Sequence, residues 1–279
     1  MTSSNPKDER TERIRAVEEQ LRQAKDAYRD QKRSLKQLRR DIRHSRTPEE
    51  RLKKEKKQAV RLERRRRRRA LSEPPMRSIL EEIGSSVNHG AGAALSIVAL
   101  IMLLLKAKGA VAVFSACVYG GCLLLMFLMS CLYHAFRAGS TVKRVWRRFD
   151  YCSIYLLIGG TITPFLLMLV GGTLGTVLCA VMWALIATGI TFVGVFGPAV
   201  ARGLHFALFF TIGWSAIVFL PRMWREAPSL LWFVLSGGVV YTLGMIPFVK
   251  KVRGSHFIWH FFVLAGAVLQ WLGIYLYLF

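Results

Sequence analysis

Seven long apolar runs follow one another after Glu82, and they constrain the fold of this chain more than any other feature. Each run of about 18 to 24 residues is long enough to cross about 30 Å of hydrocarbon as an α-helix. Because a bilayer interior offers no water to backbone amides, only helices and closed barrels span it. The sequence therefore predicts an all-α membrane protein, a seven-transmembrane-helix bundle. The predicted spans are residues 87–105, 111–134, 151–170, 174–195, 203–221, 229–248 and 256–278.

The Lys and Arg residues of the short connections predict how these spans are oriented, because cytosolic loops carry an excess of positive charge. With the N-terminus in the cytosol, the inner connections hold nine such residues and the outer connections hold four. The inner residues are Arg137, Lys143, Arg144, Arg147, Arg148, Arg202, Lys250, Lys251 and Arg253, and the outer ones are Lys106, Lys108, Arg222 and Arg225. We therefore predict a multi-pass integral membrane protein with a cytosolic N-terminus and an extracytosolic C-terminus, in the plasma membrane or an endomembrane.

Residues 1–72 form a basic arm whose composition differs from that of the rest of the chain. Of the 17 acidic residues, 15 lie at or before Glu82, and 27 of the 40 Lys and Arg residues lie at or before Arg77. Within the arm, apolar residues recur at alternating steps of three and four over residues 14–42, a heptad seam typical of coiled coils. Thr47 followed by Pro48 predicts the start of a second helix, with Thr47 as its N-cap.

The arm has several possible partners. The seam could form a coiled-coil homo-oligomer, bind another protein, pair the two arm helices antiparallel, or remain a lone charged helix. The unbroken basic run Arg64 to Arg69 lies near the first span, where each residue attracts anionic lipid headgroups by about 1 kcal/mol. A solvated tail is the alternative. We do not predict a nucleic-acid partner, because a chain with seven spans is delivered to membranes first. Residues 73–86 are predicted to link the arm to a transmembrane domain of residues 87–279.

Ionisable residues at membrane depth are few, and each is a candidate for function because its burial is costly. They are His89, His134, Asp150, His205, His256 and His260. In the predicted orientation, the second span ends inside with Ser130 and His134, the third begins inside near Asp150, and the seventh begins inside with His256 and His260. These five side chains, contributed by three helices, therefore share one membrane depth.

The spacing of these residues points to a metal centre. His256 and His260 are four residues apart, so both imidazoles leave one helix face within about 6 Å of each other. With His134 they would fill three of the four tetrahedral positions of zinc and leave one for water, as in catalytic zinc sites. Asp150 could hold or deprotonate that water, and Ser130 could orient it or a substrate carbonyl.

Structural interpretations of the same residues remain open. An HxxxH pair at a membrane boundary is often interfacial or hydrogen-bonded. Asp150 could form an interfacial salt bridge with Arg147 or Arg148. We expect His205 to be a capping or interfacial residue and His89 to be a packing partner within the first span.

Several motifs give the chain a resemblance to the hemolysin III family, within the progestin and adiponectin receptor superfamily. They are Glu81-Glu82 through His89-Gly90, Ser130 through His134, Arg148-Phe149-Asp150 with Ile158 through Phe165, Gly213-Trp214, Gly237-Gly238 with Tyr241 and Gly244, and His256 through His260. The resemblance implies a seven-helix fold with a cytosolic N-terminus and zinc near the cytosolic leaflet. The implied ligands are His134, His256 and His260, with Ser130 and Asp150 beside the water at the zinc.

The function that this resemblance implies is hydrolysis of a lipid-linked amide or ester, such as a ceramide. The alternative is a non-enzymatic receptor or lipid-homeostasis protein, or a haemolytic pore former, although a pore needs a polar wall that these spans lack. Three departures affect the pocket lining rather than the five-residue centre: Ser85 replaces the family's Asn, Ile162 stands where Tyr is common, and Pro247-Phe248 replaces an aromatic pair.

Overall fold

The computed structural model describes residues 6–44, 47–200, 202–250 and 253–279. Lys251 of the predicted inner connections and residues 1–5 of the predicted arm lie outside the described residues, as do the side chains of Arg68 and Arg202. Every regular element in the described ranges is helical. The α-helices are α1 (Pro6–His44), α2 (Pro48–Ser72), α3 (Ile79–Lys106), α4 (Ala110–Ala135), α5 (Thr141–Pro164), α6 (Gly172–Phe196), α7 (Arg202–Gly213), α8 (Leu220–Glu226), α9 (Pro228–Lys250) and α10 (Ser255–Tyr277).

The chain divides into two compact units, Met1–Arg67 and Arg68–Phe279. In the first unit, α2 begins with a reciprocal cap, since the Glu50 amide donates to Thr47 Oγ1 (3.3 Å) and the Thr47 amide donates to Glu50 Oε2 (3.2 Å). The seam residues Ile14, Leu21 and Leu35 are each more than half exposed in the single chain. A partner for this seam therefore stays a prediction.

In the second unit, seven described helical segments are long and apolar enough to cross a membrane, as predicted. They are Ile79–Lys106, Ala110–Ala135, Thr141–Val170, Gly172–Phe196, Gly203–Glu226, Pro228–Lys250 and Ser255–Tyr277. The third continues α5 through a π-helical turn, Phe165–Val170, and the fifth joins α7 to α8 through a 3-10 turn, Trp214–Phe219. The chain is therefore an all-α multi-pass integral membrane protein.

Two spans begin earlier than predicted because capping residues extend their helices beyond the apolar runs. The first begins at Ile79, where the Glu81 amide donates to Ser78 Oγ and the Ser78 amide donates to Glu81 Oε2, a capping box. The third begins at Thr141, where Ser140 Oγ accepts from the Lys143 amide. Polar residues expected in a loop consequently lie on helices, with side chains that can face the bundle interior.

Glycines allow close helix approaches in this unit. A Cβ added at Gly160 of α5 would lie 2.5 Å from the Cys122 Cβ of α4, and one at Gly244 of α9 would lie 2.5 Å from the Phe262 Cβ of α10. Small residues commonly bring transmembrane helices together in this way, because van der Waals packing drives their association. These contacts fix α4 against α5 and α9 against α10, and α4 and α10 carry the three histidines of the candidate site.

Candidate metal centre

Three histidines from two helices converge at the end of the bundle where α3 begins, called here the Ser78 end. His134 lies in the last turn of α4, and His256 and His260 lie in the first two turns of α10. The Nε2 atom of His256 is 3.3 Å from that of His134 and 3.0 Å from that of His260. One ligand atom from each ring lies within 4.8 Å of the other two. We call this group the histidine cluster.

The spacing of the cluster fits a small tetrahedral cation. Zinc binds imidazole nitrogens at about 2.0–2.1 Å, so two nitrogens on a tetrahedral ion lie about 3.3–3.4 Å apart. The two Nε2 separations of 3.0 and 3.3 Å are close to that value. Neutral imidazoles that face one another with unprotonated nitrogens repel, and a shared cation removes that repulsion. The histidine cluster can therefore bind a metal ion, as its spacing in the sequence predicts.

Glu82 orients the first of these rings. Its Oε2 atom lies 2.6 Å from His134 Nδ1 and 3.0 Å from Lys143 Nζ. With the carboxylate ionised, His134 carries its proton on Nδ1 and presents the lone pair of Nε2 to the cluster. A carboxylate behind a ligating histidine is the usual arrangement in metal sites, because it fixes the tautomer and the ring orientation.

Lys143 offsets the cost of burying the Glu82 carboxylate by forming an ion pair with it. The lysine is fully buried, and its ammonium also donates to the carbonyl oxygens of Tyr133 (3.1 Å) and Phe136 (2.9 Å) at the end of α4. These carbonyls have no partner further along the helix, so a cation is favourable there. Although the sequence places Lys143 among positive loop residues, the structure shows it on α5, in an ion pair inside the bundle.

His89 extends the cluster on the side of α3. Its Nε2 atom lies 2.7 Å from His260 Nδ1, and its ring also packs edge-on against Phe127 with centroids 5.1 Å apart. His89 is therefore the packing partner that the sequence predicts, and in addition it contacts a cluster histidine. A hydrogen bond to Nδ1 of His260 leaves Nε2 of that ring directed at the cluster.

A second contact from the start of α3 positions α10. Glu81 Oε1 accepts a 2.7 Å hydrogen bond from the amide of Gly254, which precedes α10 and has φ of +82°. Glycine adopts that left-handed conformation without the steric cost that a side chain adds. One short segment, Glu81 and Glu82, thus holds both α10 and the ring of His134.

Ser130 and Asp150 lie where the sequence predicts, near the cluster at the Ser78 end. Ser130 is one turn before His134 on α4, and Asp150 lies in the first half of α5. Both residues line the cavity that His256 and His260 also line. The structure therefore brings the five predicted side chains together, although their catalytic roles stay a prediction.

The predicted alternative of an Asp150 salt bridge with Arg147 or Arg148 is not found among the described residues. Arg147 is buried, and its Nη1 atom donates to the carbonyl oxygens of residues 71, 72 and 73, the shortest at 2.8 Å. Arg148 donates to the Gly194 carbonyl at 2.8 Å. Both guanidinium groups thus bind backbone oxygens, and Asp150 lines the cavity.

The cavity has a volume of about 230 Å³ and extends from the histidine cluster deep into the bundle. Near the cluster it is bordered by Arg77 and Asp150, and deeper it is bordered mostly by apolar side chains, including Phe165, Leu220 and Val234. A polar mouth leading to an apolar interior suits an amphipathic molecule with one polar group and a hydrocarbon chain.

His205 lies apart from the cluster. It is fully buried on α7, with Nδ1 2.9 Å from the hydroxyl of Tyr155 and with Phe192 and Phe209 around its ring. It is thus a packed core histidine rather than the capping or interfacial residue that the sequence suggests. The surrounding aromatic rings, which come from three different helices, give no signal in the sequence near position 205.

Glu82, Lys143 and the contact of His89 with His260 are the site features that the sequence analysis missed. The sequence does contain one signal for the role of Glu82. Glu82 and His89 are seven residues apart, so on a helix they share a face. A first span that starts at residue 87, as predicted, leaves Glu82 outside the helix, so the shared face of Glu82 and His89 is not visible from that prediction. Extending α3 back to its Ser78 cap would have placed both residues on the cluster side.

Comparison with known proteins gives the chain a family. A family model described as Haemolysin-III related matches residues 77–271. Hemolysin-3 of Bacillus cereus is 36% identical over 207 residues, covering 71% of this chain and 92% of the relative. The Hemolysin-3 homolog of Bacillus subtilis (strain 168) is 34% identical over 209 residues, covering 72% and 96%.

A more distant relative was also found. The human Monocyte to macrophage differentiation factor is 25% identical over 171 residues, covering 59% of this chain and 71% of the relative. The family match includes the whole histidine cluster, Glu82, Ser130 and Asp150, and it leaves the basic arm outside. Because this match covers most of the chain and two relatives exceed 30% identity over nearly their full length, the chain belongs to the haemolysin III-related family.

Proposed function

We propose that this chain is a zinc-dependent intramembrane hydrolase that cleaves the amide or ester bond of a membrane lipid. The observation that carries this proposal is the convergence of three imidazole Nε2 atoms beside a carboxylate, at the polar mouth of an apolar cavity. A purely structural metal site is usually closed by four protein ligands, whereas a catalytic one keeps a position open.

The metal would be held by His134, His256 and His260, with Glu82 and His89 orienting two of the rings. When bound, zinc supplies Lewis acidity for a carbonyl and a nucleophilic hydroxide near neutral pH. The rings are held from behind by Glu82 and His89, so the cluster is organised before any substrate enters. Such preorganisation is what catalytic sites require of their supporting residues.

Asp150 is the carboxylate placed to move protons. It takes a proton from the attacking water as oxygen adds to the carbonyl carbon, and it returns a proton to the leaving nitrogen or oxygen as the carbon–nitrogen or carbon–oxygen bond breaks. Asp150 and Ser130 both line the cavity, so this carboxylate lies beside the space that a bound carbonyl would occupy. Ser130 is buried, so its hydroxyl is a fixed orienting group.

The cavity favours a lipid as substrate. Its deep part is apolar and can take a hydrocarbon chain, while the reacting carbonyl remains at the Ser78 end beside Asp150. Burying the chain also removes water from the region beyond the reacting group. Residues 158–165, which the resemblance singles out, contribute Ile158, Ile162 and Phe165 to this lining.

The membrane arrangement completes the proposal. The N-terminus lies in the cytosol, so the Ser78 end faces the cytosolic leaflet. The arm, through Arg64 to Arg69, binds anionic headgroups there. The heptad seam of residues 14–42 pairs with a second copy or another protein.

Metal content and turnover test the proposal together. Detergent-purified wild type should contain about one zinc ion per chain and hydrolyse a fatty amide or ceramide, whereas His256→Ala should lose both. His205→Ala is the control, because it removes a buried histidine that lies outside the cluster. Stoichiometric zinc without turnover on a broad panel of lipid amides and esters would contradict the proposed hydrolase activity.

A receptor or lipid-homeostasis protein with a non-catalytic metal is the second candidate, favoured by the exposed seam on α1. It predicts that residues 1–72 capture a partner protein and that loss of the arm abolishes function while zinc stays. A pore-forming role, suggested by the name of the Bacillus cereus relative, predicts liposome leakage that persists without the three histidines.

A further inference from the structure

Gln270 is a buried polar residue in the deep part of the cavity. It lies on α10 ten residues beyond His260, which is about 15 Å further along the helix axis. Gln270 lies on the same face of α10 as His260 and Val263, and all three residues line the cavity. The side chain is 8% exposed. A polar amide thus lies far from the histidine cluster but opens onto the cavity that begins there.

The orientation of the Gln270 amide is fixed by its neighbours. Its Nε2 atom donates a 3.0 Å hydrogen bond to the carbonyl oxygen of Val234 on α9. Rotating the amide by half a turn would place two oxygens against each other, so the nitrogen must face α9. Gly237 provides the room for this contact, because a Cβ there would lie 2.7 Å from Gln270 Nε2.

The carbonyl end of the same amide lacks a donor. Gln270 Oε1 is buried and finds no hydrogen-bond partner among the residues that the structure describes. Two nearby hydroxyls on the cavity wall are paired, since those of Thr161 and Thr242 donate to carbonyls of their own helices. Buried carbonyl groups in proteins are nearly always hydrogen-bonded, so this unpaired oxygen, on a residue that lines the cavity, indicates a missing donor.

We propose that Gln270 Oε1 forms a second polar subsite, which accepts a hydrogen bond from a hydroxyl group on the hydrocarbon chain of the bound lipid. The donor is uncharged, because an ammonium group would pay a large desolvation cost in surroundings such as Phe165 and Leu220. The subsite rests on the proposed function, in which the carbonyl of the lipid lies at the histidine cluster. The separation of about 15 Å then places the hydroxyl near the middle of a long acyl chain.

Substrate preference tests the subsite. Stearoyl amides with a single hydroxyl at successive chain positions are compared with unsubstituted stearoyl amide, for wild type and Gln270→Met. Wild type should prefer the mid-chain isomer over the unsubstituted amide by about tenfold in kcat/KM, as one buried hydrogen bond allows. The isomer hydroxylated beside the carbonyl should show no preference. In Gln270→Met the tenfold ratio should fall to about one, while Leu269→Met, a neighbour outside the cavity lining, should keep it.

Binding separates failure of the subsite from failure of the proposed function. Alkyl ether analogues of the same chains have no scissile bond, and their affinity is measured by displacement of a fluorescent fatty acyl probe in nanodiscs. A mid-chain hydroxyl preference that Gln270→Met removes would support the subsite even if no lipid is hydrolysed. Hydrolysis without any chain-hydroxyl preference, in turnover and in binding, would overturn the subsite and leave the hydrolase standing, with water as the donor to Gln270.

Discussion

Two buried histidine sites in the same bundle show what separates a candidate metal centre from ordinary core packing. His205 lies beside the hydroxyl of Tyr155 and the rings of Phe192 and Phe209. The histidine cluster has three rings whose Nε2 atoms face one another, a carboxylate behind one of them, and an open cavity. Burial of a histidine in a membrane protein is therefore not sufficient, and convergence with anionic support is the distinguishing feature.

The largest expected difference is in metal binding. Replacing His134, His256 or His260 singly by Ala should lower bound zinc from about one ion to nearly none per chain, because two imidazoles do not retain the ion through purification. His205→Ala should keep the wild-type zinc content. Inductively coupled plasma mass spectrometry of the purified variants measures both. Equal zinc loss in all four variants would show that His205 affects zinc binding as much as the cluster histidines do, and would contradict the comparison.

Substitution of Asp150 distinguishes metal binding from catalysis at the histidine cluster. Asp150→Asn should keep the zinc but lower lipid hydrolysis by about 10²- to 10⁴-fold, since the amide cannot accept a proton. A matched change at the other site, Tyr155→Phe, should leave turnover within about twofold of wild type. Turnover and metal content are measured on the same preparations. Full activity in Asp150→Asn would remove this residue from the mechanism.

Glu82 tests whether the carboxylate behind the ring matters. Glu82→Gln should weaken zinc affinity by about 10- to 100-fold, as is usual when a group that orients a ligand is lost. Competition with a chromophoric chelator measures this affinity. Unchanged affinity in Glu82→Gln would show that the rings of the cluster are positioned by packing alone.

The smallest expected effect concerns the packed histidine. Tyr155→Phe removes the hydrogen bond to His205 and should lower stability by about 1 kcal/mol, with zinc content unchanged. Thermal denaturation in detergent, followed by tryptophan fluorescence, checks the direction. Loss of zinc in this variant would mean that the two sites are coupled.

The fold could be predicted from the sequence because spans of apolar residues must be helical in a bilayer. The starts of α3 and α5 could not be placed from apolarity, since Ser78 and Ser140 extend these helices into polar sequence. The convergence of the three histidines could be predicted because His256 and His260 share a helix face and because one orientation brings His134 to their depth. The role of Glu82 was not, since it depends on how α3 packs against α4.

Spectroscopy of the metal itself tests the central claim most directly. Zinc K-edge X-ray absorption of purified wild type should show three imidazole nitrogens at about 2.0–2.1 Å and a further light atom, with no sulfur. Each of the three histidine variants should lose this signature, and His205→Ala should retain it. Zinc bound through thiolate sulfur at about 2.3 Å, or no tightly bound zinc at all, would contradict the assignment of His134, His256 and His260 as one metal centre.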